Sequence, residues 1–437
     1  MPDTLSDWLV WLEAQHPQGA AGIELGLDRV RAVSRALEQR QNVPVITVGG
    51  TNGKGSTCAM LEKILGCAGY RVGLYTSPHL LDYNERVRID GAPASDAALC
   101  ASFARVEAGR QKAGGIALTY FEVGTLAAWE CFAAANVDVI ILEVGLGGRL
   151  DAVNIYDADC AIVTAIDIDH SEYLGDTREA IGFEKAGIYR ADKPAICCDP
   201  QPPQSLIDHA NAIGAPLKLL GRDFGYQHQE LQWQFWLRKG EETSRRSSLA
   251  FPGLRGPIQL QNASGVLAAL DALAGQLPVA MQDIRRGLLE VELPGRFQML
   301  PGRPAIVLDV AHNPQAARVL AENLGAQGQA YYPATWAVFG MMRDKDIAAV
   351  VAALKRRIDH WLPCTLAGPR AASARELGEI LQREGAATSP PLFDSPAAAF
   401  QYAREKVGED DRILVFGSFI TVAAVMRVLR EAPMLPL

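Results

Sequence analysis

The sequence predicts an α/β protein of two domains, each a doubly wound parallel sheet with helices on both faces. Three observations predict it. Short apolar, β-branched runs alternate with helical patterns along nearly the whole chain, the rhythm of βαβ units. Runs such as residues 137–144, Val-Asp-Val-Ile-Ile-Leu-Glu-Val, are apolar on both faces, as strands covered on both sides must be. The alternation pauses at Leu293-Pro-Gly-Arg-Phe297 and then restarts. At 437 residues the chain is too long for one ordinary domain. The division expected is therefore 1–293 and 294–437.

Taken in order, residues 4–15 read as a helix with Leu5, Trp8, Leu9 and Leu12 on one face, and a second helix begins near Leu27. An apolar run from Val43 ends in a glycine cluster, and a helical pattern follows at once. Next come a strand at 71–75, helices at 96–112 and from about 120 to 135, and buried strands at 137–144 and 160–164. Residues 224–250 break the rhythm: Trp233, Phe235 and Leu237 alternate with polar residues, as in a hairpin. Helices at 261–274 and 280–290 close this half. The second half reads as strand 305–310, helix from Pro314, strand 336–339, helix 346–357, strand 360–365 and helices 374–384 and 397–406. Strand 412–416 and a helix from Thr421 complete it, and together these make a Rossmann-like α/β domain of ordinary size.

The glycine cluster has the layout of a phosphate-binding loop (P-loop), Gly49-Gly-Thr-Asn-Gly-Lys-Gly-Ser-Thr57. Gly49, Gly50, Gly53 and Gly55 allow a tight turn and close approach to an anion. The free N–H groups and dipole of the following helix favour that anion, and Lys54 adds a mobile positive charge. The spacing is not strict: Val48 stands where a glycine is usual, and the hydroxyls come at Ser56 and Thr57 rather than directly after the lysine.

Net charge is −8 with no basic run, which argues against a nucleic-acid partner. No apolar stretch reaches membrane-spanning length. The start, Met1-Pro-Asp-Thr-Leu-Ser-Asp-Trp8, lacks the basic and apolar regions of a secretory signal, so a cytoplasmic protein is expected. The eight cysteines form no CxxC pair, which leaves buried reduced thiols as the reading.

In open parallel sheets ligands bind beyond the carboxyl ends of the strands. Polar residues there are Lys54, Ser77, Glu143, Asp167, Asp169 and His170. Glu143 closes a buried strand in the manner of a carboxylate that holds nucleotide-bound magnesium. Ser77 before Pro78 reads as an N-cap and first helical residue. Lys185 alone is an ordinary helix lysine. In the second half Asn313-Pro314 is again a cap pairing, while Asp309 and His312 are not explained by it.

These residues together resemble the folylpolyglutamate synthase family of the Mur-ligase-like superfamily, and most closely its bifunctional bacterial branch. The resemblance is carried by Gly50-Thr-Asn-Gly-Lys-Gly-Ser56, Thr76-Ser-Pro-His79, Leu142-Glu-Val-Gly-Leu-Gly-Gly-Arg-Leu-Asp151 and Glu184-Lys-Ala-Gly-Ile188. Pro294-Gly-Arg296, Asp309-Val-Ala-His-Asn-Pro314 and Gly340-Met-Met-Arg-Asp-Lys-Asp346 complete it. It spans nearly the whole chain. One departure is Val153, where the family usually has threonine.

The resemblance implies a first domain like the central domain of Mur ligases and an ATP-dependent ligase. Its substrates would be dihydropteroate, reduced folates and L-glutamate, and its cofactors ATP, two Mg2+ ions and a monovalent cation such as K+. Thr51, Asn52, Gly53, Lys54, Gly55 and Ser56 would cradle the phosphates, and Asn262, Arg296, Asp309 and His312 would contact the nucleotide. Ser77, Glu143, His170 and a carbamylated Lys185 would hold metal. Ile23, Glu24, Leu25 and Gly26, then Thr119, Tyr120, Phe121 and Glu122, then Leu150, Asp151 and Ala152 would border the pteroate site. A monomer is expected, with two domains closing to keep water from an acyl phosphate. Two other readings stand beside this one. A Mur-type cell-wall ligase would need an extra N-terminal domain, for which the roughly 45 residues before the loop are too few. A regulatory P-loop NTPase would have no use for strand-end residues such as Asp309 and His312 in a second α/β domain.

Overall fold

The computed structural model describes residues 2–15, 22–326 and 332–431. The chain divides into two compact units. The first comprises Met1–Gly253 and Leu260–Val291, the second Leu254–Gln259 and Glu292–Leu437.

The first unit is built on β1 (Val45–Gly49), β2 (Val72–Tyr75), β3 (Val87–Ile89), β4 (Ala92–Pro93), β5 (Val139–Glu143), β6 (Cys160–Val163), β7 (Ala195–Cys197) and β8 (Leu217–Leu219). Their order across the sheet is β4-β3-β2-β5-β1-β6-β7-β8. From β2 to β8 the pairing is parallel; β3 and β4 add an antiparallel edge. Every residue of β1, β5 and β6 is buried, which is why their sequences are unbroken apolar runs rather than alternating ones. Each buried Val, Ile or Leu among them contributes about 1.5–3 kcal/mol of transfer free energy. The helix Lys54–Cys67 follows β1 directly and buries nine residues between Ser56 and Leu65.

The expected hairpin is a three-stranded antiparallel sheet, β9 (Phe224–His228), β10 (Trp233–Lys239) and β11 (Glu242–Leu249). Trp233, Phe235 and Leu237 bury one face of β10, as the alternation required.

In the second unit β12 (Gln298–Leu300), β13 (Ala305–Leu308), β14 (Thr335–Phe339), β15 (His360–Pro363) and β16 (Arg412–Phe416) stand in the order β12-β13-β16-β14-β15. All pairs but β12–β13 are parallel. Phe339, Trp361 and Phe416 pack together in its core. Helices Pro314–Ala326, Ile347–Leu354, Ala374–Arg383, Pro396–Lys406 and Phe419–Glu431 connect or follow the strands.

One local expectation is overturned. Ser77-Pro78 does not begin a helix: residues 77–82 are irregular, and the next helical turn, Tyr83–Arg86, is capped by Asp82. The Ser77 backbone N–H instead donates to the Glu143 carboxylate at 3.2 Å, tying the loop after β2 to the end of β5.

Candidate active site

Central strand β1 lies between β5 and β6, so three carboxyl ends meet in one region of the first unit. Val48 is still strand, paired with Glu143 and Ile162, so the loop proper starts one residue later than the usual spacing. Two glycines are required by geometry. Gly50 has φ +142, and a Cβ there would stand 1.8 Å from Thr164 Oγ1. Gly53 has φ +91, and a Cβ would stand 2.7 Å from Asn262 Oδ1. Gly53 caps the helix Lys54–Cys67, which places Gly55 and Ser56 in its first turn. Lys54 Nζ donates to Gly50 O at 3.0 Å and Thr51 O at 3.2 Å. The ammonium thus folds back over the loop. Thr51 N donates to Ala165 O at 2.7 Å and its hydroxyl to Asp167 O at 2.9 Å, so the loop is fastened to the end of β6. The buried Asn262 presses against Gly53 from the helix Ile258–Ala272.

Charged groups gather around this loop. Glu143 ends β5 and is buried, 5% exposed. Lys185 lies in the last turn of the helix Arg178–Ala186 and is 3% exposed. Burial, reinforced by the Lys54 charge, lowers its ammonium to about 7 against the pull of Asp169 and Asp151. Asp151 is buried and accepts N–H bonds from Leu146 at 2.8 Å and Val153 at 3.1 Å. Burial raises its carboxyl to about 7 although those bonds and Lys54 oppose it. His170 has φ +52 at the head of a single helical turn, and its ring stands 4.0 Å from Asp169 with 39% of the side chain exposed.

The three segments expected at the pteroate site come together. Gly26 N donates to Leu150 O at 3.2 Å. Arg29 bonds the Glu24 carboxylate and carbonyl and pairs with Glu122 at 3.0 Å. Glu122 in turn forms a reciprocal cap with Thr119 at the head of the helix Tyr120–Ala135. Phe121 packs on Tyr75, and Tyr120 meets Tyr83 edge to face. Ile23 and Leu25 lie on the irregular segment leading to Gly26, and Ala152 is buried in the short turn after Asp151. Val153, the departure from the family pattern, is wholly buried in the apolar core.

Within the second unit, Asp309 follows β13 and accepts N–H bonds from Phe297 at 2.8 Å and Ala311 at 2.7 Å. Burial raises its carboxyl, while those bonds and Arg296 lower it. The Arg296 guanidinium lies over the Phe419 ring at 5.0 Å, and His312 Nδ1 is 2.8 Å from Val310 O. Asn313 caps the helix from Pro314 by accepting the Ala316 N–H at 2.9 Å. The cap reading for Asn313 therefore holds, and Asp309 also has a local structural task.

Comparison with known proteins follows the same division. Residues 48–249 match the Mur ligase middle domain, and residues 295–419 match the Mur ligase glutamate ligase domain. The dihydrofolate synthase/folylpolyglutamate synthase of Escherichia coli strain K12 is 45% identical over 426 residues, covering 97% of this chain and 95% of that protein. The chain belongs to the dihydrofolate synthase/folylpolyglutamate synthase family. E. coli FolC in complex with DHPP and ADP superposes with a TM-score of 0.91 at 44% identity, covering 99% of both chains. The Yersinia pestis bifunctional enzyme complexed with AMPPNP and Mn ion superposes with 0.88 at 45% identity, covering 98% of this chain and all of that one.

For a member of this family the residues present suit a divalent metal ion held partly by nucleotide phosphates. Among the described residues no three His, Cys, Asp or Glu side chains could hold a metal ion by themselves. Magnesium typically takes one or two carboxylates and completes its shell with water and phosphate oxygens. A buried Glu143 beside a phosphate loop fits that pattern. Thr164 is a contributor that the motifs did not reveal. Fully buried after β6, its hydroxyl stands 2.7 Å from Asn52 O and 3.1 Å from Gly49 O and bridges the loop. An apolar strand ending in threonine carries no motif; only the three-dimensional closeness of Gly50 exposes its role.

Proposed function

We propose that this chain uses ATP to join L-glutamate to dihydropteroate, giving dihydrofolate, and to the γ-carboxyl of reduced folates, giving folylpolyglutamates. The observation that carries it is the pairing of a phosphate loop with the buried Glu143 at neighbouring strand ends, in a chain whose residues 295–419 match a glutamate ligase domain. ATP and a divalent metal as cofactors are supported by the family members bound to ADP, or to AMPPNP and Mn ion. Two Mg2+ ions and a K+ ion are our fuller assignment.

A carboxylate is a poor acyl donor because oxide is a poor leaving group. Its oxygen therefore attacks the γ-phosphorus of ATP, ADP departs, and an acyl phosphate forms. The amine of glutamate then attacks the acyl carbon; phosphate leaves and the amine loses its proton. Phosphoryl transfer asks for positioning and charge neutralisation more than for covalent help. Loop residues 52–56 present N–H groups to the phosphates while Thr51, whose N–H is spent on Ala165 O, fixes the loop, and Lys54 swings from its carbonyl contacts onto them. Asn262, Arg296, Asp309 and His312 are our further candidates for contact with the nucleotide. Ser77, Glu143, His170 and carbamylated Lys185 would hold the magnesium, which supplies neutralisation of the phosphate charge. Residues 23–26, 119–122 and 150–152 orient the pteroate.

The test is product mass after incubation with ATP, magnesium, glutamate and either dihydropteroate or tetrahydrofolate. Addition of a glutamyl unit to dihydropteroate and of one or more to tetrahydrofolate, with one ADP released per unit, is expected, and Lys54→Ala should abolish both. ADP release that continues without the acid and glutamate would instead establish a simple NTPase.

A further inference from the structure

The segment after β6, residues 164–170, supports the phosphate loop and carries Asp167, Asp169 and His170. Its backbone is held from two opposite sides. In extended backbone the N–H and C=O of one residue point one way and those of its neighbours the other. Ala165 O and the Asp167 backbone meet Thr51 of the phosphate loop. Ile166, between them, points away, and both its polar groups are taken by one ion pair. Its N–H donates to Asp199 Oδ2 at 2.7 Å, and its carbonyl accepts from Arg178 Nε at 3.1 Å. Arg178 closes the ring by donating to Asp199 Oδ1 at 3.0 Å and Gln201 O at 2.9 Å. Asp199 Oδ1 also accepts the Gln201 N–H at 2.8 Å.

We infer that Asp199 and Arg178 are positioning residues for the metal and phosphate site, though neither touches a reacting atom. Three elements meet in this ring. Asp199 follows β7 and is buried. Ile166 belongs to the segment that leads to His170. Arg178 is the first residue of the helix whose last turn presents Lys185. The ion pair therefore sets the phosphate loop, the His170 segment and the Lys185 helix in one register. An arginine with this fixed fork fits the task and a lysine does not. The inference rests on the proposed roles of Lys54, His170 and Lys185.

The test compares Asp199→Asn and Arg178→Lys with the unchanged chain. The asparagine keeps the shape but turns an NH2 group toward one of three donors, and the lysine keeps the charge but cannot span three acceptors. Mn2+ affinity in the presence of AMPPNP, read by electron paramagnetic resonance, should weaken ~10–100-fold, the usual effect of a residue that orients metal ligands. The half-saturating magnesium for ligation should rise in parallel, and by more than the KM for dihydropteroate, because none of the ring's hydrogen bonds falls on residues 23–26, 119–122 or 150–152. Wild-type Mn2+ affinity in a folded Asp199→Asn protein would overturn the inference. Should that variant fail to fold, Arg178→Lys decides, because this side chain is partly exposed and wild-type Mn2+ affinity there is equally fatal. An unchanged chain that neither binds Mn2+ with AMPPNP nor ligates would overturn the proposed function itself, whereas a normal unchanged chain with normal variants overturns this inference alone.

Discussion

Glu143→Gln separates catalysis from folding. The side chain ends β5, is 5% exposed, and accepts the Ser77 N–H at 3.2 Å. Glutamine has the same shape, and its oxygen can keep that bond. The loss to the fold is the difference between a charge-assisted and a neutral hydrogen bond, about 1 kcal/mol, which lowers a melting temperature by only a few degrees. The loss to catalysis is larger. The proposed magnesium site has few protein anions, so removing one should cost at least ~100-fold in rate, about 2.7 kcal/mol. Ligation rate against magnesium concentration and melting temperature, measured on one preparation, read both effects. Excess magnesium restores part of the rate if binding is the lost step, and none if geometry is. A wild-type rate at limiting magnesium, with a large fall in melting temperature, would show that Glu143 only anchors the Ser77 loop.

Thr164→Val keeps volume but leaves the Asn52 carbonyl without its hydroxyl partner; it should cost about 1–3 kcal/mol and raise the KM for ATP, and an unchanged KM would remove Thr164 from the loop's support. Lys185→Ala should lose ligation, with partial rescue by short carboxylic acids standing in for a carbamate; mass spectrometry of the native protein showing only unmodified Lys185 in bicarbonate buffer would contradict it. Burial holds the Asp151 carboxyl at about 7, against roughly 4 in an unfolded chain. Between those values the folded state keeps a proton the unfolded state has lost, so this contribution to stability is full below about pH 4 and fades as pH rises to about 7. The melting temperature of Asp151→Asn relative to the unchanged chain should therefore climb from pH 5 to pH 8; a constant difference would refute the raised carboxyl.

The sequence revealed the parts whose chemistry forces a local pattern. Strands β1, β5 and β6 are covered on both faces, so they read as apolar runs, and their polar terminators stood out as site candidates. The phosphate loop was legible because Gly50 and Gly53 hold backbone conformations other residues rarely adopt. Ser77 misled because a Ser-Pro pair suits an irregular loop as well as a helix start, and its N–H is claimed by a glutamate 66 positions away. The short strands β3, β4, β7 and β8 went unread, since two or three residues carry no period. β11 fell within the hairpin expected over 224–250 but did not show as a third strand, because its Glu-Thr-Ser-Arg-Arg-Ser-Ser run, exposed apart from the half-buried Arg246, lacks an apolar face. Thr164, Asp199 and Arg178 were invisible because their partners are distant in sequence and ordinary in type.

Ligation through an acyl phosphate is tested most directly by isotope transfer. Dihydropteroate labelled with oxygen-18 in its carboxylate is incubated with ATP, magnesium, glutamate and the protein, and the released phosphate is weighed by mass spectrometry. One labelled oxygen per phosphate is expected, because the attacking carboxylate oxygen leaves with the phosphoryl group. Glutamylated product accompanied by unlabelled phosphate would contradict the mechanism.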